Sequence, residues 1–500
     1  MTSMPSLADL AQREAAPGVP VVDAVAVNAT QNRSLYASRE PIYPKLAHGK
    51  FRTIKWAVMA VTLGIYYLLP WLRWNRGEGL PDQAVLLDFA HQRLYFFGLQ
   101  IWAQEFYFVT GILILSALAL FLVTAVAGRV WCGYACPQTV WTDLMIAVEY
   151  LWQGDRNARM RLAKSPWTFE KAWKIGGTHV SWLLIAVATG GAFVFYFRDA
   201  PTLFMEFVNF EAPTIAYIFL GVFTATTYLL GGLAREQVCT YMCPWPRIQG
   251  AMFDRDSLLV SYRAYRGEPR GPHKKGESWD GRGDCIDCRQ CVAVCPMGID
   301  IRDGPQLECI QCALCIDACD SIMEKIGRPK KLIAYDTFRN LDAAAHGARE
   351  PLRLIRPRTI LYLALLAIVG GVMLFALSRK TVLDVNLIAD RNPLYVQLSD
   401  GGVRNGYTLR ILNKRGESRR FALELGGLGG AVLSVVGGDG KNGGAIEVPA
   451  NELRTLKIYV SVPGDAARSL PEKSDLTLTV RDLSDGTASQ RETTFRGPGR

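Results

Sequence analysis

Five long apolar segments, twelve cysteines confined to four short motifs, and a cysteine-free run of strand-like segments near the C-terminal end predict a multidomain fold. Its parts are an α-helical membrane bundle of five spans, a cytoplasmic cysteine-rich domain and a C-terminal β-sandwich, immunoglobulin-like in the broad sense. The bulk numbers agree. A chain of 500 residues exceeds one ordinary domain, and half of the residues are hydrophobic, a mixture of membrane and soluble parts.

Residues 56–72, 106–127, 180–197, 212–233 and 359–377 are each apolar over about 17–25 positions, the length that crosses a bilayer as a helix. Near-absence of charge over such lengths argues against buried helices of a soluble protein. The preceding residues are polar, carry Pro17, Pro20 and Pro41, and show no cleavable leader pattern, so the first apolar segment is expected to be an uncleaved anchor.

Lys and Arg set the expected orientation. Lys45, Lys50, Arg52 and Lys55 precede the first span. Arg156, Arg159, Arg161, Lys164, Lys171 and Lys174 follow the second, and residues 235–358 are richer still. Basic loops stay inside, which puts the tail and every cysteine in the cytoplasm and the region after the fifth span outside. The formal charge of +10 is thereby a matter of topology. No nucleic-acid-binding signature accompanies it, and no nucleic acid is expected as a partner.

The expected layout is a cytoplasmic tail over 1–52, a four-span membrane domain over 53–234, a cytoplasmic cluster domain over 235–358, a fifth transmembrane helix over 359–378 and a periplasmic β domain over 379–500. In the last, strand-like runs at 381–388, 407–412, 419–425, 453–462 and 475–480 are separated by Gly-rich turn signals. The Gly426–Gly430 stretch reads as a loop.

Eight cysteines form two runs of one spacing: Cys285-x2-Cys288-x2-Cys291-x3-Cys295-Pro296, then Cys309-x2-Cys312-x2-Cys315-x3-Cys319. In bacterial-type two-cluster ferredoxins three close thiolates hold one cube and the fourth reaches its neighbour. Applied here, one [4Fe–4S] cluster takes Cys285, Cys288, Cys291 and Cys319, and the other takes Cys309, Cys312, Cys315 and Cys295. Asp320 stands where proline is usual, which alters the local turn but removes no ligand. Zinc is the competing use of Cys-x2-Cys pairs, and tandem runs of identical spacing fit it poorly. A disulfide framework is disfavoured in a reducing compartment.

The other four cysteines form two Cys-x3-Cys-Pro pairs, Cys132/Cys136 and Cys239/Cys243, each after an even-numbered span. The shared Cys-x-Tyr-x-Cys-Pro core suggests a duplicated helix pair. Residues four apart share a helix face, so each pair is expected to present two thiols from one helix, which the proline ends or kinks. Together they supply four sulfurs, enough for one Cu(I), zinc or iron–sulfur centre or for a thiol relay. The bland alternative is that they pack as small apolar residues. Residues 140–152, apolar and aromatic with Asp143 and Glu149, are expected to lie along the inner membrane interface.

Histidine is scarce, and His48, His91, His179, His273 and His346 all fall outside the expected spans, which disfavours a membrane haem held by two histidines. No Gly-x-Gly-x-x-Gly follows an expected strand, so no dinucleotide site is expected.

Taken together, the chain resembles the FixG/CcoG family of cytochrome c oxidase accessory proteins. The resemblance runs from about Tyr36 to the C-terminus and is most specific at Cys243-Pro244 through Met252-Phe253-Asp254-Arg255-Asp256 to Arg266-Gly267-Glu268-Pro269-Arg270-Gly271. Both cysteine runs share it, as do Gly327-Arg328-Pro329 to Tyr335-Asp336-Thr337 and the outer stretch from Asn405 to Lys414. It implies a bacterial inner-membrane protein that reduces Cu(II) to Cu(I) and helps assemble cbb3-type oxidase, with two [4Fe–4S] clusters on the ferredoxin cysteines. Cys132, Cys136, Cys239 and Cys243 are then its candidate copper or redox thiols. Implied partners are the membrane, oxidase assembly factors or copper carriers, and an electron donor the sequence does not name; a homo-oligomer is left open. The alternatives are an electron-transfer subunit linked to quinol and a copper-binding assembly scaffold.

Overall fold

The computed structural model describes residues 14–16, 19–22, 24–27, 40–77, 79–274, 276–437, 444–468 and 470–497; Pro17 and most of the tail before residue 40 lie outside the described residues. The chain divides into two compact units, one of Met1–Trp74 with Gln83–Met373 and one of Asn75–Asp82 with Leu374–Arg500.

Lys50–Trp71, Ala103–Ala127, Phe169–Val194 and Thr214–Ala234, all in the first unit, and Pro357–Ser378, which begins in it, are long and apolar enough to cross a membrane. They answer to the five apolar segments. Span three starts earlier than its hydropathy suggests, because polar caps carry the helix past the apolar stretch. The Thr168 hydroxyl accepts from the Lys171 backbone N–H (3.2 Å), and the Lys171 ammonium turns back to the carbonyls of Ala163 (3.0 Å) and Ser165 (2.6 Å). This extension brings His179 inside span three, contrary to the expectation that no span holds a histidine. Its Nδ1 lies 2.8 Å from the Tyr228 hydroxyl. A single intramembrane histidine still cannot supply both axial ligands of a bis-histidine haem.

Small residues let the spans approach one another. A Cβ on Gly190 of span three would stand 2.8 Å from the Leu220 carbonyl oxygen of span four. Next to it the Phe193 and Phe223 rings lie 3.9 Å apart. Met373 of span five occupies the notch left by Gly111 of span two. Between spans one and two, Val85–Asp88, Arg93–Phe96 and Leu99–Trp102 form a three-stranded antiparallel sheet. Four-residue strands are too short for alternation to reveal in sequence.

The Pro137–Gln153 helix overturns the expectation of an interfacial helix. Its Asp143 and Glu149 are buried, not turned to water. Asp143 pairs with Arg52 (2.8 Å) and Lys55 (3.4 Å), and Glu149 pairs with Arg159 (2.8 Å) and Arg235. Burial opposes the charge of Asp143, but Lys55 and Arg52 hold its pKa below the ordinary carboxylate value. Several basic residues that read as a topology signal are therefore counterions of this helix. Gln138 of the same helix donates to the carbonyls of Leu230 (2.8 Å) and Arg235 (3.2 Å), tying it to the widened end of span four.

The cysteine-rich region packs on the same unit. Leu259–Tyr262 pairs antiparallel with Ile333–Asp336. Between them run the cysteine loops and the Leu314–Lys325 helix. The tail crosses this region: Val22 donates to the Cys288 carbonyl (3.2 Å) and Lys45 to that of Ala293 (2.8 Å). Asp317 accepts from the backbone N–H groups of Phe51 (3.2 Å) and Arg52 (2.7 Å), capping the first turn of span one.

The second unit holds two antiparallel sheets. One runs Val432–Val435, Glu452–Val462, Val403–Asn413, Leu383–Ala389, with Val396–Gln397 also on Val403–Asn413; the other runs Ile446–Val448, Arg419–Gly426, Lys473–Asp482, Ala488–Arg496. Tyr407, Leu409, Ile411, Phe421, Leu478, Val480 and Phe495 alternate inward to form the core. Gly427 and Gly430, with positive φ, make the predicted Gly-rich stretch a turn.

Candidate functional site

The two ferredoxin runs fold as conformational copies. In each, the residues flanking the second cysteine are left-handed: Asp287 (φ 53°) and Arg289 (54°) around Cys288, and Gln311 (57°) and Ala313 (60°) around Cys312. Successive turns of this kind aim backbone N–H groups into a concavity that suits an anionic group. The N–H of Gln290 faces Cys288, that of Gln311 faces Cys309, and those of Met297, Gly298 and Ile299 face Cys295. Asp320 lets the Leu314–Lys325 helix run on past Cys319, where a proline would break it. Its carboxylate also accepts from Lys331 N (2.6 Å).

Two enclosed cavities result. Cys285, Cys288, Cys291 and Cys319 line the first, with Ile286, Ile322, Met323 and Ile333. Cys295, Cys309, Cys312 and Cys315 line the second, with Ile299, Ile301 and Ile310; Cys291 stands in its wall as well. Each cavity is thus lined by cysteines of both runs. Burial pushes the Cys288 and Cys295 thiols up to about 11 and Cys309 to about 12, and raises Cys291, Cys315 and Cys319 well above the ordinary thiol value. At these six positions burial disfavours the bare thiolate. Among the described residues no three His, Cys, Asp or Glu side chains close on a point able to hold one metal ion. Sulfur donors spread around an apolar void fit an iron–sulfur cluster.

The Cys-x3-Cys-Pro pairs are duplicated in conformation too, though not as expected. Neither pair sits on one continuous α-helix. Cys132 lies in the Val130–Tyr134 turn and Cys239 in the wider Val238–Met242 turn. Cys136 and Cys243 are extended beyond them, at φ/ψ of −61°/128° and −81°/120°. Each second cysteine donates its N–H five residues back, Cys136 to Trp131 (2.9 Å) and Cys243 to Val238 (2.8 Å). The proline starts the next helix, Pro137–Gln153 in one copy and Trp245–Met252 in the other.

The four thiols lie within electrostatic reach of one another. Burial, then Cys136, pushes the Cys132 thiol up to about 12, with Cys243 adding to it; burial, then Cys136, Cys132 and Cys243, does the same to Cys239. Cys132 and Cys239 pack in one cluster with Cys295, Cys309, Cys315, Met297 and Ile310. The four-thiol junction therefore abuts the second cavity, while the first is enclosed by a separate core to which Val19 and Ala24 of the tail contribute.

Residues that the motifs did not flag hold this junction. Cys132 Sγ donates to Gln249 Oε1 (3.3 Å), whose amide nitrogen donates to the Thr124 hydroxyl (3.2 Å); Gln249 is fully buried. Tyr134 donates to the Cys312 carbonyl (3.1 Å) and Tyr335 to that of Gln311 (2.7 Å). Arg129 lies buried between span two and the second run. Tyr134 is part of the repeated Cys-x-Tyr-x-Cys-Pro core, and Gln249 lies inside the family-specific stretch, so both carried a signal. Arg129 belonged to none of the motifs.

Residues 234–338 match a family model described as a 4Fe-4S dicluster domain, residues 109–150 one described as a 4Fe-4S binding domain, and residues 373–498 the IG-like fold at the C-terminal of FixG. The nitrogen fixation protein FixG of Rhizobium meliloti is 49% identical over 96% of this chain and 97% of its own length. The chain belongs to the FixG family. Protein RdxB of Cereibacter sphaeroides is 52% identical, over 94% of this chain and 99% of its own. A crystal structure of a FixG-related protein from Vibrio parahaemolyticus covers 24% of this chain and 99% of that one, at 21% identity and a TM-score of 0.21. As a FixG-family member the chain is an iron–sulfur redox protein with five apolar helices and a C-terminal immunoglobulin-like domain.

Proposed function

We propose that this FixG-family chain is a membrane-bound reductase that converts Cu(II) to Cu(I) for the assembly of cbb3-type cytochrome c oxidase. The observation that carries this reading is the packing of the four-thiol junction against the second cysteine-lined cavity. Cys285, Cys288, Cys291 and Cys319 hold one [4Fe–4S] cluster, and Cys309, Cys312, Cys315 and Cys295 hold the other. The clusters supply one-electron storage and transfer when bound.

Cys132, Cys136, Cys239 and Cys243 receive the copper substrate. Cu(II) takes up one electron to become Cu(I), the state that soft thiolates favour. Arg129, Gln249 and Tyr134 hold the junction against the second cluster's loop. The membrane is the bacterial inner membrane. Tail, thiols and clusters face the cytoplasm, where the basic loops stay, and the immunoglobulin-like domain faces the periplasm to meet assembly factors or copper carriers.

The test is anaerobic: chemically reduced, purified protein is mixed with Cu(II) or with a soluble quinone while the cluster absorbance is followed. Stoichiometric cluster oxidation by Cu(II), with Cu(I) trapped by a chelator, is the expected result. Oxidation by the quinone alone would replace this reading with a quinol-linked electron-transfer subunit. Inertness to both would leave a copper-binding scaffold.

A further inference from the structure

The two cavities differ in how their nearest arginine is compensated. Arg302 and Arg289 line the first cavity; the Arg302 guanidinium is bound by two carboxylates, Asp300 (2.6 and 2.9 Å) and Asp287 (2.5 Å), and the more exposed Arg289 faces Asp287 (3.9 Å). The charge of Arg302 is largely spent on its two carboxylates. Arg129 stands at the second cavity, 2% exposed. Its guanidinium donates to the carbonyl oxygens of Leu307, Cys309 (3.3 Å) and Pro246 (2.5 Å). Its backbone N–H donates to Gln311 Oε1 (2.9 Å), and the Phe253 ring lies 5.5 Å away. These partners are neutral, so the positive charge acts on the sulfurs of Cys309 and Cys132, with Glu308 the acidic group that also faces it.

Arg129 thus bonds to the residue after the second Cys-x3-Cys-Pro motif's proline and tryptophan and to the second ferredoxin run, and its charge reaches the first thiol of the junction. Reducing an iron–sulfur site adds negative charge, and net charge is among the factors that set its potential. A buried cation hydrogen-bonded only by neutral groups, with Glu308 as its facing carboxylate, favours the reduced state, because Coulomb attraction is strong where water is excluded.

We infer that Arg129 is a positioning cation that makes the second cluster the easier of the two to reduce, and so directs electrons from the first cluster toward the thiol junction. The step balances simply. One electron leaves the first site and enters the second, with no bond made or broken and no proton moved. The inference rests on the ligand sets proposed above and does not depend on copper being the final acceptor.

The experiment is a redox titration of the full-length, anaerobically purified chain, followed by electron paramagnetic resonance so that the two clusters are resolved. In wild type, the first electron should reside mainly on the cluster held by Cys295, Cys309, Cys312 and Cys315. Arg129→Gln should lower the equilibrium ratio of second-site to first-site reduction by about tenfold or more, the effect of one buried charge, and leave the other wave in place. Arg129→Lys keeps the charge and should stay within about threefold of wild type. Unmoved waves in an iron-replete Arg129→Gln protein would overturn the inference, as would a shift confined to the first cluster. Should Arg129→Gln lose iron, Arg129→Lys decides. Iron-replete with a wild-type ratio, it supports the role of charge; iron-depleted or with the ratio fallen, it refutes it. A wild-type protein inert to Cu(II) would sink the reductase reading while leaving these titrations intact.

Discussion

Gly133 packs against the backbone beside Cys312: a Cβ on it would stand 2.7 Å from the Ile310 carbonyl oxygen and 3.0 Å from the Cys312 Cα and N. The first thiol motif and the second ferredoxin run therefore touch main chain to main chain. In the duplicated motif the matching position is Thr240, whose hydroxyl bonds locally to the Glu236 carbonyl (2.9 Å). Overpacking such a contact costs about 1–3 kcal/mol. Gly133→Ala should lower the thermal midpoint and slow cluster oxidation by Cu(II), whereas Thr240→Ala should change stability by under about 0.5 kcal/mol. Equal effects of the two would show that the close approach is not what matters.

Replacing Cys132 and Cys239 by serine should abolish most copper binding while leaving the full complement of two four-iron clusters. Metal analysis of the anaerobic protein reads both quantities at once. Iron loss in this double variant would mean that the junction itself carries a cluster, which the match of residues 109–150 to a 4Fe-4S binding domain makes the informative alternative.

Asp317 caps span one through two backbone N–H groups. Asp317→Ala should cost about 0.5–2 kcal/mol and speed hydrogen exchange of Phe51 and Arg52. Exchange left unchanged would deny the cap.

Asp143 lies among Arg52 and Lys55 with its pKa held down. Removing it leaves buried cations unpaired, a loss of about 3–5 kcal/mol at neutral pH. A depressed carboxylate stabilises the fold above its unfolded value near pH 4 and loses that contribution as pH falls through the folded value. The gap between wild type and Asp143→Asn should therefore be constant above about pH 5 and narrow below about pH 4. A gap that stays constant into acid would show that the pair is not the source.

Much of this was legible in the sequence. Hydropathy found five spans because a bilayer imposes a length, and the cysteine spacing found both cavities because ligand geometry fixes the loop. The five strand-like runs all became strands, since one buried face enforces alternation. What stayed hidden depended on tertiary partners. The Pro137–Gln153 helix has an amphipathic pattern that water or buried arginines explain equally well, and only Arg52, Lys55, Arg159 and Arg235 decide between them. The break inside each Cys-x3-Cys-Pro motif follows from the next helix starting at the proline, which a four-residue spacing does not encode. Arg129 sits where topology alone would put a cation.

The contact between Asp317 and span one joins residues 266 positions apart. Ribosomal synthesis proceeds at about 5–20 residues per second, so the N-terminal end of that span waits roughly 15–50 seconds for its cap. The tail waits similarly for the cysteine loops it crosses. Insertion of the early helices must then precede both, and the strap can close only over a domain already folded. Cluster delivery has a natural window in that interval, before the first cysteine loop is covered by the part of the chain that was made first.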